Sequence, residues 1–185
     1  MPHIALQQGL PGIVSGLAYR PETARPLREL AEILLRGPNT LTSGEREMIA
    51  TYISTGNDCY FCQASHRAAA AHHLSGNYEL VDQVRFNPQE APVTPKLKAL
   101  LAVAGKVREG GKKVTGEDVS RAKEAGATDT EIHDTVLIAA AFCMYNRYVD
   151  GLATFTPTDP ELYDAMGRSM AHEGYTRRTE TAASR

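Results

Sequence analysis

Cysteine is scarce in this chain. Three residues occur, an odd number, and two of them stand together as a Cys-x-x-Cys pair at Cys59 and Cys62. That excludes the spread disulfide framework by which small secreted domains are stapled. An excess of one charge is missing too: 20 Lys and Arg face 22 Asp and Glu, and a net charge of −2 gives no electrostatic ground for nucleic acid or an anionic membrane as partner. No apolar run approaches the roughly eighteen residues of a membrane span. The opening MPHIALQQGLPGIVSGLAYR lacks a basic stretch followed by a long apolar one. Neither secretion nor membrane insertion is expected, and a cytoplasmic, reducing address follows. No alternating strand pattern persists anywhere, so the expected fold class is all-α.

What is present reads as one helical domain. The 185 residues suffice for a single core, with hydrophobic content of 42% and charged content of 23%. Residues 1–20, broken by Pro and Gly, read as an N-terminal arm or short helix packing on a neighbour. Apolar spacing at Leu27, Leu30, Ile33 and Leu34 predicts a helix from Pro21 to Arg36. Thr42 with Glu45 forms a capping box opening a helix to about Thr55, and Gly56-Asn57-Asp58 breaks it. A second helix follows from Cys59 to Leu74, its alanines at 64 and 68–71 predicting close packing. Further helices are expected over Tyr78–Phe86, Pro95–Arg108 after a Thr94 cap, Thr115–Ala125, a long apolar one after the Thr128/Glu131 box, and Pro160–Glu173. The domain spans residues 1–175, and the polar run over 176–185 reads as a flexible tail. Superposing the two threonine boxes sets Cys59 on Tyr145 and Cys62 on Tyr148, a faint sign of duplication with one copy lacking thiols.

The chemistry concentrates between Thr42 and Leu74. Glu47 precedes Cys59 by twelve residues, Cys62 follows at i+3, and His66 comes four later, so helical geometry sets the last three on one face. A thiol redox site needs one sulfur deprotonated near neutral pH and a second within reach. Asn57-Asp58 reads as a turn and cap that would put Cys59 in the first helical turn, where the amide dipoles favour a thiolate. His66 can accept the proton of Cys62, and Glu47 can orient the imidazole. The alternatives at this point are a structural zinc site drawn from the same four residues, or two cysteines that merely pack. Cys143, in an apolar run, reads as core, and His72 and His73 as surface residues. Arg147 and Asp150, three apart, read as an ion pair.

The order Glu47, eleven residues, Cys59-x-x-Cys62, three residues, His66 resembles the AhpD-like alkylhydroperoxidase family, within the carboxymuconolactone decarboxylase superfamily. Leu10-Pro11-Gly12-Ile13, Leu34-Leu35-Arg36-Gly37, Glu45-Arg46-Glu47 and Asn146 to Leu152 are similar as well, and the resemblance implies that Asn146, Arg147 and Asp150 lie near the redox site or a subunit contact. The resemblance implies a helical bundle of about seven to eight helices that assembles as a homotrimer or homohexamer. It implies a thiol-dependent peroxidase acting on hydrogen peroxide or small organic hydroperoxides, with Cys62 attacking, Cys59 resolving, and His66 and Glu47 relaying protons. An external dithiol, lipoyl-bearing or thioredoxin-like, would restore the pair, with no metal or other cofactor. A thiol-disulfide exchange protein or redox sensor is the alternative, and a carboxymuconolactone decarboxylase activity a more distant one. The dipole argument favours Cys59 as attacker. The adjacent base favours Cys62 and weighs more, since an exposed helix terminus contributes only about 0.3–1 kcal/mol.

Overall fold

The first amides of a helix have no partner within it, and this chain supplies most of its helix starts with a side-chain oxygen. Thr42 and Thr128 both form reciprocal boxes. The Glu45 amide donates to Thr42 Oγ1 at 3.2 Å while the Thr42 amide donates to Glu45 Oε2 at 2.8 Å, and Thr128 with Glu131 repeats this at 3.2 and 2.7 Å. A third box at Thr115 and Asp118, and caps from Asn77, Thr94 and Asp159, start two helices of 9 residues and two of 14 and 15.

The computed structural model describes residues 1–176. In it α1 runs Ile13–Tyr19, α2 Pro21–Arg36, α3 Ser43–Gly56, α4 Tyr60–His73, α5 Tyr78–Phe86, α6 Pro95–Glu109, α7 Gly116–Glu124, α8 Asp129–Gly151 and α9 Pro160–Glu173, with a 3-10 turn at Gly111–Lys113. The described residues contain no strand, so the chain is an all-α single domain, with nine helices where seven to eight were expected. The added one, α1, lies in the expected N-terminal arm. No helix among the described residues is long and apolar enough to cross a membrane. The expected tail lies, from residue 177 on, outside the described residues.

α4 is held between α3 and α9, and α8 crosses α3 and α6. Leu35, Ile49, Ile53, Leu100, Ile138 and Phe142 form the centre of the core. Ala68 to Ala71 are fully buried, as their run predicted, while Ala64 is half-buried. Close approach is strictest where Gly167 of α9 meets Ala68, because a Cβ on Gly167 would overlap the Ala68 methyl and backbone.

The arm folds back on its own chain: α1 packs on α2 and α8, the His3 amide donates to the Leu152 carbonyl at 3.0 Å, and the Gly12 amide to the Phe155 carbonyl at 2.8 Å. Gly12 takes φ 51° and lies flat on the Phe61 ring, where a Cβ has no room. The second threonine box opens a helix that runs unbroken through Tyr145 and Tyr148, whereas the first half breaks between Gly56 and Tyr60. Only the broken copy presents a helix start beside its core.

Candidate active site

That break places the thiols. α3 ends in a Schellman motif: the Cys59 amide donates to the Ser54 carbonyl and the Asp58 amide to the Thr55 carbonyl, with Asp58 left-handed at φ 58°. Asp58 therefore terminates α3 rather than capping α4. Cys59 is itself the N-cap of α4 at φ −87° and ψ 94°, and Cys62 stands at the third helical position. The expected placement shifts accordingly: Cys59 caps α4 from outside its first turn, Cys62 stands within that turn, and both lie at the end where amides lack helical partners. Both thiols are unbridged and sealed, at 0% and 3% exposure.

Behind them lies the carboxylate. Glu47, on α3, is fully buried in the middle of the protein, and three donors surround it. His66 Nδ1 is 2.7 Å from Oε2, while Arg36 Nη2 and the Tyr175 hydroxyl donate to Oε1 at 2.6 and 2.5 Å. Burial pushes this carboxyl up, but the charge and hydrogen bond of His66, the charge of Arg36 and the Tyr175 hydroxyl outweigh it and hold the group at about 2. The ion is thus permanent at neutral pH. Its bond to Nδ1 leaves Nε2 as the ring nitrogen free to exchange a proton. The ring of Phe142 meets the imidazole edge-on at 4.6 Å between centroids, fixing its plane.

Cys59 has its thiol pushed well above the usual range, first by its hydrogen bond with Cys62, then by burial and the nearby charges of Cys62 and Asp150. Asp150, at the end of α8, is in turn pushed up by burial, with the Cys59 thiol partly offsetting this. Arg147 does not serve as its partner but donates to the Cys143 carbonyl at 3.0 Å. Asn146 is buried and joins the break to α8: its amide nitrogen donates to Ser54 Oγ at 3.1 Å, and its oxygen accepts from Asn57 Nδ2 at 2.8 Å. Of the three residues singled out in that segment, Asn146 and Asp150 belong to the neighbourhood of the site. Cys143 packs in the core, as expected.

Cys62 and His66 open together into a cavity of about 90 Å³ walled by Ile13, Leu17, Leu27, Phe61, Phe142 and Met166. Tyr60 and Phe61, between the cysteines, divide their roles. Phe61 is buried and walls the cavity, while Tyr60 is exposed with its ring edge-on to Tyr163 at 5.8 Å. No group of three or more His, Cys, Asp or Glu among the described residues is arranged to hold a metal ion. The donors saturating Glu47 also remove it from a zinc set.

Sequence reasoning brought together Glu47, Cys59, Cys62 and His66; in the structure Cys62 and His66 line one cavity, Glu47 bonds to His66 and Cys59 lies against Cys62. It missed Arg36 and Tyr175. Arg36 was visible as the last residue of a helix and inside the family-like Leu34-Leu35-Arg36-Gly37 segment, with no role attached, and Tyr175 only as the last aromatic before a polar run. Neither carries a spacing to Glu47 that a helical period could reveal. His72, read as a surface residue, is half-buried with Nε2 3.0 Å from Asp164 Oδ1.

A model of the carboxymuconolactone decarboxylase family matches residues 21–104, which contain Arg36, Glu47, Cys59, Cys62 and His66. An uncharacterized peroxidase-related protein from Ralstonia eutropha JMP134, described as an alkylhydroperoxidase AhpD core, is 30% identical. It matches over 86% of this chain and 82% of its own, with a TM-score of 0.76. An uncharacterized peroxidase-related protein from Silicibacter sp. TM1040 is 26% identical over 85% and 81%, with a TM-score of 0.75. A protein of unknown function from Agrobacterium tumefaciens, 17% identical over 80% and 99% with a TM-score of 0.68, bears on the fold alone. No curated protein matches the chain. With the four-residue constellation assembled and these relatives sharing the fold, the chain belongs to the AhpD-like alkylhydroperoxidase family of the carboxymuconolactone decarboxylase superfamily.

Proposed function

We propose that the protein is a thiol-dependent peroxidase that reduces hydrogen peroxide or small organic hydroperoxides through a Cys59/Cys62 dithiol–disulfide cycle. The observation that carries this reading is the opening of Cys62 and His66 into one cavity, with the Glu47 ion bonded to the imidazole and the Cys59 thiol hydrogen-bonded with Cys62. The peroxidase-related character of its structural relatives supports it.

The steps follow from where protons can go. Cys62 gives its proton to His66 Nε2, and the resulting imidazolium is stabilised by Glu47. The thiolate attacks one peroxide oxygen and the O–O bond breaks. The departing alkoxide or hydroxide takes the proton from His66, leaving an alcohol or water and a sulfenic acid on Cys62. Cys59, which keeps its proton until then, loses it as its sulfur attacks Cys62. The hydroxyl leaves as water and the disulfide forms. An external dithiol, lipoyl-bearing or thioredoxin-like, reduces the pair and is itself oxidised to a disulfide. A reducing compartment such as the cytoplasm suits that cycle, and the exposed Tyr19, Ile33, Phe86 and Phe155 suit assembly as a homotrimer or homohexamer.

Single-turnover mixing with hydroperoxide tests the reading. Cys62→Ser abolishes peroxide consumption, whereas Cys59→Ser consumes one equivalent and traps a sulfenic acid on Cys62. Wild-type protein that consumes no hydroperoxide with any dithiol donor ends the proposal. A sulfenic acid on Cys59 in the Cys62→Ser protein reverses the roles. Light scattering reporting a 20.1 kDa monomer removes the assembly.

A further inference from the structure

Tyr175 packs on the edge of the core and turns its hydroxyl to the buried ion. Just past α9 the chain turns at Gly174, φ 74°, and the Tyr175 amide donates to Glu32 Oε2 at 2.6 Å. This brings the phenol in among the relay groups. Its hydroxyl donates to Glu47 Oε1 at 2.5 Å and lies 3.4 Å from His66 Nδ1. Its ring stacks on the imidazole at 6.1 Å and 14°, with the Arg36 guanidinium 5.1 Å from its centroid. Tyr175 thus touches both members of the relay and also walls the cavity.

A buried carboxylate with a single donor concentrates its charge on that donor's proton. Each further donor draws charge away. In Glu47 one oxygen serves His66, and the other is shared by Arg36 and Tyr175. We propose that Tyr175 is a positioning residue that tempers the pull of Glu47 on the His66 proton, so that the imidazole can take a proton from Cys62 and release it to the departing oxygen. This rests on the relay proposed above. Burial and the neighbouring Glu47 push the phenol well above its ordinary range, so it acts as a neutral donor across working pH. The other charged or titratable groups facing this pair are Arg36, Glu32 and Arg28 on α2, Arg46 on α3, Cys62 and His73 on α4, and Tyr145 on α8.

The test reads thiolate formation without peroxide, by ultraviolet absorbance against pH in a Cys59→Ser background, with the Cys62→Ser counterpart subtracted to remove Cys143. Tyr175→Phe strips a donor from Glu47, and the midpoint of the Cys62 signal moves down by about 0.5–1 pH unit, a fraction of what a bond to a charged group is worth. Glu47→Gln moves it up. A ring-fluorinated tyrosine at 175 keeps the volume and donates more strongly, so it also moves the midpoint up, which covers the case of a Tyr175→Phe protein that fails to fold. No movement with either Tyr175 variant, or movement of both in one direction, overturns the tempering role. Because no turnover is involved, that outcome is separable from a failure to consume hydroperoxide, which would remove the proposed function instead.

Discussion

Glu47→Gln provides a measurable account of the buried ion. The amide keeps the volume but carries no charge, so Arg36 and His66 lose the ion they converge on. A carboxyl held at about 2, against an ordinary 4.5, represents roughly 3 kcal/mol of native-state stability. The sign follows from proton binding. Between those two values the unfolded chain binds more protons than the native one, so this contribution is complete above about 4.5 and is lost as pH falls towards about 2. At the acid end the wild-type group is a neutral acid and resembles the amide. Wild type and variant should therefore differ by about 3 kcal/mol at neutral pH and converge on acidification. Glu131, also held at about 2 by Lys96, Thr128 and Thr40 against its burial, loses stability over the same range, but it does so in both proteins and cancels. Urea unfolding followed by far-ultraviolet circular dichroism at a series of pH values measures the difference directly. A gap that stays constant with pH, or one under about 1 kcal/mol at neutrality, would show that the ion is not held as its three donors imply.

His66→Ala should slow oxidation of Cys62 and move its pH profile upward, because the thiol loses the acceptor for its proton; stopped-flow peroxide consumption against pH measures this. Gly167→Ala forces a methyl into Ala68 across the α4–α9 contact and should destabilise by about 1–3 kcal/mol, read as a lowered thermal midpoint. Asn146→Ala leaves Ser54 and Asn57 without their partner at the break between α3 and α4 and should cost about 1–3 kcal/mol in urea unfolding.

Helix starts were legible in the sequence because their chemistry is local. A threonine with a glutamate three residues on satisfies its amides whatever the rest of the fold does, and the boxes at Thr42 and Thr128 form as read. The Glu47, Cys59, Cys62 and His66 set was legible in part through helical spacing and in part through resemblance, since Glu47 and His66 lie on different helices and no period links them. Arg36 and Tyr175 reach Glu47 from the end of α2 and from beyond α9. Such contacts depend on how three helices cross, and composition carries no trace of that. The expected Arg147–Asp150 pair fails for a similar reason: spacing permits it, but the Cys143 carbonyl and the Cys59 thiol offer each residue a different neighbour.

One residue of helix boundary decides where each cysteine stands at the start of α4. Had Asp58 capped α4, Cys59 would lie in the first turn, and dipole and base would favour different sulfurs. The left-handed Asp58 instead completes the end of α3, and its two Schellman bonds leave Cys59 as the extended N-cap. Cys62 then stands at the third position, one turn before His66. The Cys59 thiol is pushed up by its hydrogen bond with Cys62 and by burial, against a bond from the Cys62 amide that pulls it down. The division of labour proposed for the thiols therefore depends on an aspartate accepting a left-handed backbone. Asp58→Gly should preserve it, because glycine adopts that conformation at no steric cost, whereas a β-branched Asp58→Val should not. If sulfenic acid trapping on Cys62 survived Asp58→Val unchanged, the base alone would account for the choice of sulfur.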